Sequence, residues 1–169
     1  AISNAVNITL NLEDLYRQTH TLLSEIIDVT NFFIALVNER DRTISFPYYV
    51  DTVDLDFSPI AAFNPEQSLT GLVVSKRKAV LLKHKQLKTI SANNGVQGVV
   101  PLVWMGVPLM IKDQVIGLIA VQSYTDPDLY NDQDLKIMSS VSDQIAIAID
   151  RKQTEEELRE SEKKYRYLF

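Results

Sequence analysis

Two imidazoles, a short run of aspartates and no thiol at all are what this chain offers to chemistry. Attack on a carbonyl or phosphoryl centre needs a nucleophile with a base held by an orienting group, or two carboxylates tuned apart. His20 stands among apolar helix positions and reads as a core-edge residue without a chemical role. His84, in Leu82-Lys83-His84-Lys85, follows a short strand and is the imidazole a ligand could meet, but no second ligand stands at metal-site spacing from it. The absence of cysteine closes disulfides, thiolate metal sites, thiol nucleophiles and sulfur-tethered cofactors, and fits a reducing compartment. Asp54, Asp56 and Ser58 begin like a calcium loop, yet Pro59 stands where such a loop needs glycine and Pro65 where it needs its last carboxylate. From Lys76 to Lys88 there are six Lys or Arg and no acid, a stretch that could receive an anion or could simply be a helix end and a solvated strand edge. Gly95 and Gly98 are isolated, without the strand-loop-helix context of a phosphate cradle. No catalytic residue set emerges, so the chain is not expected to be an enzyme.

The aromatic residues hold more information. Phe46 and Tyr48 alternate along one strand and are expected on one face of it, while Phe57, Phe63 and Trp104 fall in segments without a regular period. Rings so placed either line a pocket or seal the core, because large rings dominate burial with or without a ligand.

The elements that must position these residues follow from periodicity. Asn11 with Asp14 makes a helix start, and Leu12, Leu15, Thr19, Leu22, Leu23, Ile26 and Ile27 recur at three and four, predicting an amphipathic helix that ends near Asp28. Phe32 to Val37 is an apolar run buried on both faces, closed by the turn Asn38 to Arg42. A strand from Thr43 to Val50 returns from the turn, and Pro47 puts it at a sheet edge. Residues 51–66 read as a loop over the sheet, 66–75 as a short helix ending at Lys76-Arg77-Lys78, Val80 to Leu82 as a brief strand and 83–103 as irregular. Val107 to Ile111, the turn Lys112-Asp113-Gln114 and Val115 to Val121 form a second hairpin. From Asn131 or Asp132 to the end there is neither Gly nor Pro, predicting one helix of about 35 residues, or about 50 Å. It is apolar to Ile149, whereas 151–164 holds ten charged residues out of fourteen. Glu155–Arg159, Glu160–Lys164 and Glu162–Arg166 are spaced to pair at i, i+4. Ile147, Arg151, Thr154, Leu158, Ser161, Tyr165 and Leu168 keep the spacing of a weak coiled-coil seam, predicting a homodimer through the terminal helices.

Composition bounds the rest. The 169 residues include 46% hydrophobic and 23% charged side chains, the balance of one globular domain with short appendages. With 17 basic against 22 acidic residues the formal charge is -5, the opposite of a nucleic-acid binder's footprint. No stretch approaches the roughly 18 uncharged residues of a membrane span, and no signal peptide opens the chain, so a cytoplasmic protein is expected. The start at Ala1 without Met and the apolar, aromatic end Tyr165-Arg166-Tyr167-Leu168-Phe169 read as a piece of a longer protein.

The order helix, hairpin, loop and short helix, hairpin, helix, with Trp104-Met105-Gly106-Val107-Pro108-Leu109, the strand Val115 to Tyr124, and Asp132-Gln133-Asp134-Leu135 through Ile145-Ala146-Ile147-Ala148-Ile149, resembles a GAF domain over residues 1–150. The tail from Arg151 to Phe169 is similar to the linker helix that leads into a PAS domain in bacterial sensor histidine kinases. The resemblance implies an α+β fold: a central antiparallel sheet with the N- and C-terminal helices on one face and a loop-covered pocket on the other, and a long linker helix. It further implies a sensory module that takes a small molecule or a neighbouring domain and passes the change through its last helix. The wider protein would be a two-component histidine kinase, with the adjacent PAS and kinase domains as partners. The candidate ligand-binding residues are then Phe46, Phe57, Phe63 and Trp104, with Tyr48, Thr70 and His84 as polar anchors. Bilin binding and methionine sulfoxide reduction, which use cysteine in this family, do not fit a chain without it, and the Asn-Lys…Phe…Asp-Glu motif of the cyclic-nucleotide subclass is missing. The ligand or cofactor stays unnamed, and the alternative is a ligandless spacer that only holds two chains together.

Overall fold

The computed structural model describes residues 11–65, 68–94 and 99–168, with side chains for 11–65, 68–91 and 99–166. The helix start expected at Glu66, the glycines Gly95 and Gly98, and both chain ends therefore lie outside the described residues.

The first helix, α1 (Leu12–Ser24), begins as its sequence dictates: Asn11 sits in extended conformation and its side chain accepts the Asp14 backbone N–H at 2.8 Å. It stops four residues before Asp28, because the chain must turn to bring Ile27 and Val29 into the core beside the first strand. Strands β1 (Phe32–Asn38) and β2 (Thr43–Val50) follow, joined by a turn in which Asn38 and Asp41 bond each other and Arg42 adopts a left-handed φ of 56°. After the loop come α2 (Leu69–Lys76), β3 (Val80–Lys83), α3 (His84–Asn94), β4 (Val103–Ile111), β5 (Gln114–Ser123) and α4 (Asp132–Leu168). The five strands form one antiparallel sheet in the order β2-β1-β5-β4-β3, so β2 lies at an edge as Pro47 requires.

Two side-chain layers enclose the sheet. On one face α1 and α4 deliver Tyr16, Leu23, Met138, Ala146 and Ile149 onto Phe32, Ile34, Met105, Ile119 and Val121. On the other, α2, α3 and the loop 51–65 cover Phe33, Ala35, Trp104, Leu118 and Ala120. A sheet sandwiched this way needs apolar residues at both parities, which is why β1 and β5 read as unbroken apolar runs.

Three sequence expectations give way here. The segment 83–103 is not irregular throughout, since α3 occupies His84–Asn94, anchored by Leu87 and Ile90 one turn apart, with the Gln86 side chain accepting the Lys83 N–H at 2.9 Å. Trp104 lies inside β4 rather than in a loop. Phe46 and Tyr48 do not share a face: Ile34 pairs with Tyr48 but Leu36 with Ser45, so Phe46 and Pro47 together oppose the single residue Ala35. That bulge reverses the parity of β2, sending Phe46 to the α2/α3 side and Tyr48 to the α1 side.

Helix α4 is one element of 37 residues, about 55 Å long. Asn131 and Asp134 cap it reciprocally, each side chain accepting the other's backbone N–H at 3.0 Å. Past Ile149 it leaves the sheet but not α1: the Leu12 N–H reaches Glu156 at 3.4 Å, and Lys152 is buried against Glu155 at 3.2 Å. The three expected i, i+4 pairs do not close among the described residues, a small loss because exposed pairs are worth only a few tenths of a kcal/mol. Ile147, Leu158 and Tyr165, the apolar members of the expected seam whose side chains are described, are 50%, 60% and 65% exposed.

Candidate ligand pocket

The loop 51–65 is shaped by its own aspartates. Asp51 Oδ1 accepts the N–H groups of Val53 and Asp54, Asp54 Oδ1 that of Asp56, and Asp56 Oδ1 both the N–H and the hydroxyl of Ser58. These consecutive side-chain turns explain the acidic spacing without a metal. The Ser58 hydroxyl, then its N–H, hold the Asp56 carboxyl below the usual range. Further on, Ile60 exchanges two backbone bonds with Ile44 at 2.9 and 2.8 Å. Arg42 bonds the Phe63 carbonyl at 2.8 Å while its guanidinium stands 5.1 Å from that ring's centre. The loop is thereby tied to β2 and roofs the sheet.

Beneath it is a cavity of about 450 Å³, within the span of roughly 300–1,000 Å³ usual for small-molecule sites. Phe33, Phe46 and Phe57 form one wall as a mutual triangle, with ring centres 5.5 to 5.6 Å apart and tilted or edge-on contacts. Tyr49 stacks on Phe57 at 4.4 Å from outside. Trp104 and Gln122, paired across β4 and β5, make the floor, Leu87 and Ile90 of α3 a second wall, and Thr70 of α2 a corner. Helix α2 is held there by Ser68, whose hydroxyl accepts the Gly71 N–H at 2.8 Å, and ends at Arg77 in left-handed conformation.

Of the seven residues expected at the pocket, five meet there: Phe46, Phe57, Phe63, Thr70 and Trp104. Tyr48 and His84 do not. Tyr48 is carried to the opposite face by the bulge, where its hydroxyl donates to His20 Nδ1 at 2.9 Å, because Nε2 of the same ring holds its proton toward the Val29 carbonyl, also at 2.9 Å. His20 stacks on Phe32 at 4.8 Å and so ties α1 to the sheet. His84 starts α3 with Nδ1 3.4 Å from the carbonyl of Pro101, a lining residue, but does not itself line the cavity.

Sequence reasoning passed over Phe33 and Gln122. Gln122 is only 7% exposed, a polar side chain at the end of the apolar alternation Leu118, Ala120, and that break in pattern is the signal that could have found it. Its Nε2 donates to Asp51 Oδ2 at 2.7 Å and to the Tyr124 hydroxyl at 2.9 Å, and that hydroxyl donates to the same carboxylate oxygen at 3.0 Å. Burial, then the charges of Asp51 and Asp54, push the Tyr124 phenol far up.

A family model for the GAF domain matches residues 9–150. Among solved structures, a methyl-accepting chemotaxis protein (residues 122 to 287) superposes with a TM-score of 0.70 at 17% identity, over 91% of this chain and 98% of that one. The GAF domain of an Acinetobacter phosphoenolpyruvate-protein phosphotransferase gives 0.64 at 17% identity, over 90% of each chain. Free methionine-R-sulfoxide reductase from Neisseria meningitidis, in complex with its substrate, gives 0.67 at 13% identity, over 89% and 85%. At such identities the likeness establishes the fold alone. No curated protein sequence matches this chain.

Proposed function

The chain belongs to the GAF domain family, and on that premise we propose that it is the sensory input module of a longer signalling protein. A small ligand enters the cavity, and α4 carries the change onward. The observation that supports this most is the arrangement itself: an aromatic cavity of about 450 Å³ on one sheet face, and on the other a helix of 37 residues that outruns the domain. A ligand moves that helix only by binding one arrangement more tightly than another, and about 1–3 kcal/mol of differential affinity is a usual coupling. In this reading residues 1–150 are the sensor and 151–169 the linker helix leading into a PAS domain. The parent protein is a cytoplasmic histidine kinase, and its catalysis resides elsewhere in that chain. No helix among the described residues is long and apolar enough to cross a membrane.

Thermal denaturation with a metabolite library tests the sensor reading. A ligand present at about 100 times its Kd adds about 2.7 kcal/mol to folding stability, so a true ligand raises Tm by several degrees. A library without effect favours the second reading, a ligandless dimerisation spacer, for which the exposed Ile147, Leu158 and Tyr165 on α4 speak.

A further inference from the structure

We propose that the cavity selects an organic cation, an apolar or aromatic body carrying a protonated amine, which it holds between the Phe33/Phe46/Phe57 wall and the acidic end at Asp54 and Gln122. This rests on the small-ligand reading above and specifies its chemistry.

Charge is the first argument. The described lining includes Asp54 and Asp56 but no Lys, Arg or His. The basic stretch that could have received an anion is engaged elsewhere or points away. Lys83 Nζ donates to the carbonyls of Pro127 and Tyr130 at 3.3 and 2.9 Å, Arg77 pairs with Glu39 at 3.1 Å, and Lys76, Lys78, Lys85 and Lys88 lie exposed outside the lining. An anionic ligand would meet the half-buried Asp54 without a counter-charge, whereas a cation would complete an ion pair with it, stronger there than in open water; Asp56 is exposed and adds only to the field.

The second argument is the polarity of the floor. A carboxylate can only accept, so the bond to Asp51 fixes the Gln122 amide with its nitrogen toward Asp51 and Tyr124. Both Nε2 protons are used there. Oε1 has no hydrogen-bond partner among the described residues, and because no buried side-chain oxygen or nitrogen there is left unsatisfied, it is a solvent-reached acceptor on a residue that lines the cavity, where a ligand donor can take the place of water. An ammonium group supplies one, and a carboxylate does not. The third argument is the wall, since aromatic rings attract a cation beyond what area burial provides.

The test uses the whole chain with three probes of one shape: phenethylamine, 2-phenylethanol and phenylacetate, read by Tm and by the fluorescence of Trp104. Phenethylamine is expected to bind about tenfold more tightly than phenylacetate. Asp54→Asn keeps an oxygen for the loop turn, and it is expected to weaken phenethylamine by about threefold to tenfold while leaving 2-phenylethanol unchanged, a split that mere loosening of the loop would not produce. Phenylacetate binding as well as the amine, or an amine-to-alcohol ratio unmoved by Asp54→Asn, overturns the cation while the pocket stands. A library ligand without a cationic nitrogen does the same. Silence from all three probes and from the library removes both the cation and the pocket.

Discussion

Trp104 is the only tryptophan in the chain, and it stands on the cavity floor, so its emission reports on that site alone. Its indole can lie there because position 106, two residues on along the same face of β4, carries no side chain: a methyl group at Gly106 would overlap the six-membered ring. Gly106→Ala is therefore expected to displace the indole at a cost of about 1–3 kcal/mol, typical of overpacking, seen as a lower Tm together with altered tryptophan emission. Unchanged emission would mean that the ring does not rest on this glycine. Trp104 was recognisable from sequence as a pocket candidate but not as a strand residue. Gly106 showed no signal there, since its need arises only from the ring above it.

At the scale of elements, what could be read depended on how local the cause is. The caps Asn11–Asp14 and Asn131–Asp134 act within four residues, and Pro47 marks an edge by its missing N–H, so α1, α4 and the place of β2 were legible. The bulge in β2 was not, because it exists only in the count of residues across the pair with β1, and one extra residue inverts the placement of Tyr48. Helix α3 escaped because Leu87 and Ile90 are too few to declare a helical period. Helix α4 carries its own prediction. The side chains of Leu158 and Tyr165 stand on one stripe and are mostly exposed, so Leu158→Glu should leave Tm nearly unchanged. If the stripe mediates self-association, the same substitution moves the sedimentation of the full chain toward monomer by about tenfold in concentration. Equal sedimentation of the two chains would separate the stripe from assembly.

For the molecule as a whole, three phenols report on how well the two layers are closed. Tyr16 is pushed up to about 12 by burial and then by Glu156. Tyr130 is pushed up further by burial, then Asp28 and Asp134, and Tyr124 by burial, then Asp51 and Asp54. In the unfolded chain a tyrosine loses its proton near pH 10, so above that the unfolded state binds fewer protons than the folded one. Stability is thus expected to hold below about pH 10 and to fall progressively as pH rises toward 12, measured as the denaturant midpoint against pH. Tyr16→Phe should remove part of that slope, and a midpoint flat across this interval would mean that the phenols are not buried in solution.

The extra residue in β2 also shapes a path across the sheet. Phe46 belongs to the cavity wall and Tyr48 grips the imidazole of α1, and between these two sides of the sheet stands one residue, Pro47, whose ring locks its φ near −65°. The adjacent Phe33 and Phe32 of β1 cross the sheet in the same way, one in the cavity wall and the other stacked on that imidazole, and what β2 adds is the proline. Here a stiff backbone joint runs from solvent-facing chamber to terminal helix, and rotation at that proline cannot absorb a push applied to the ring beside it.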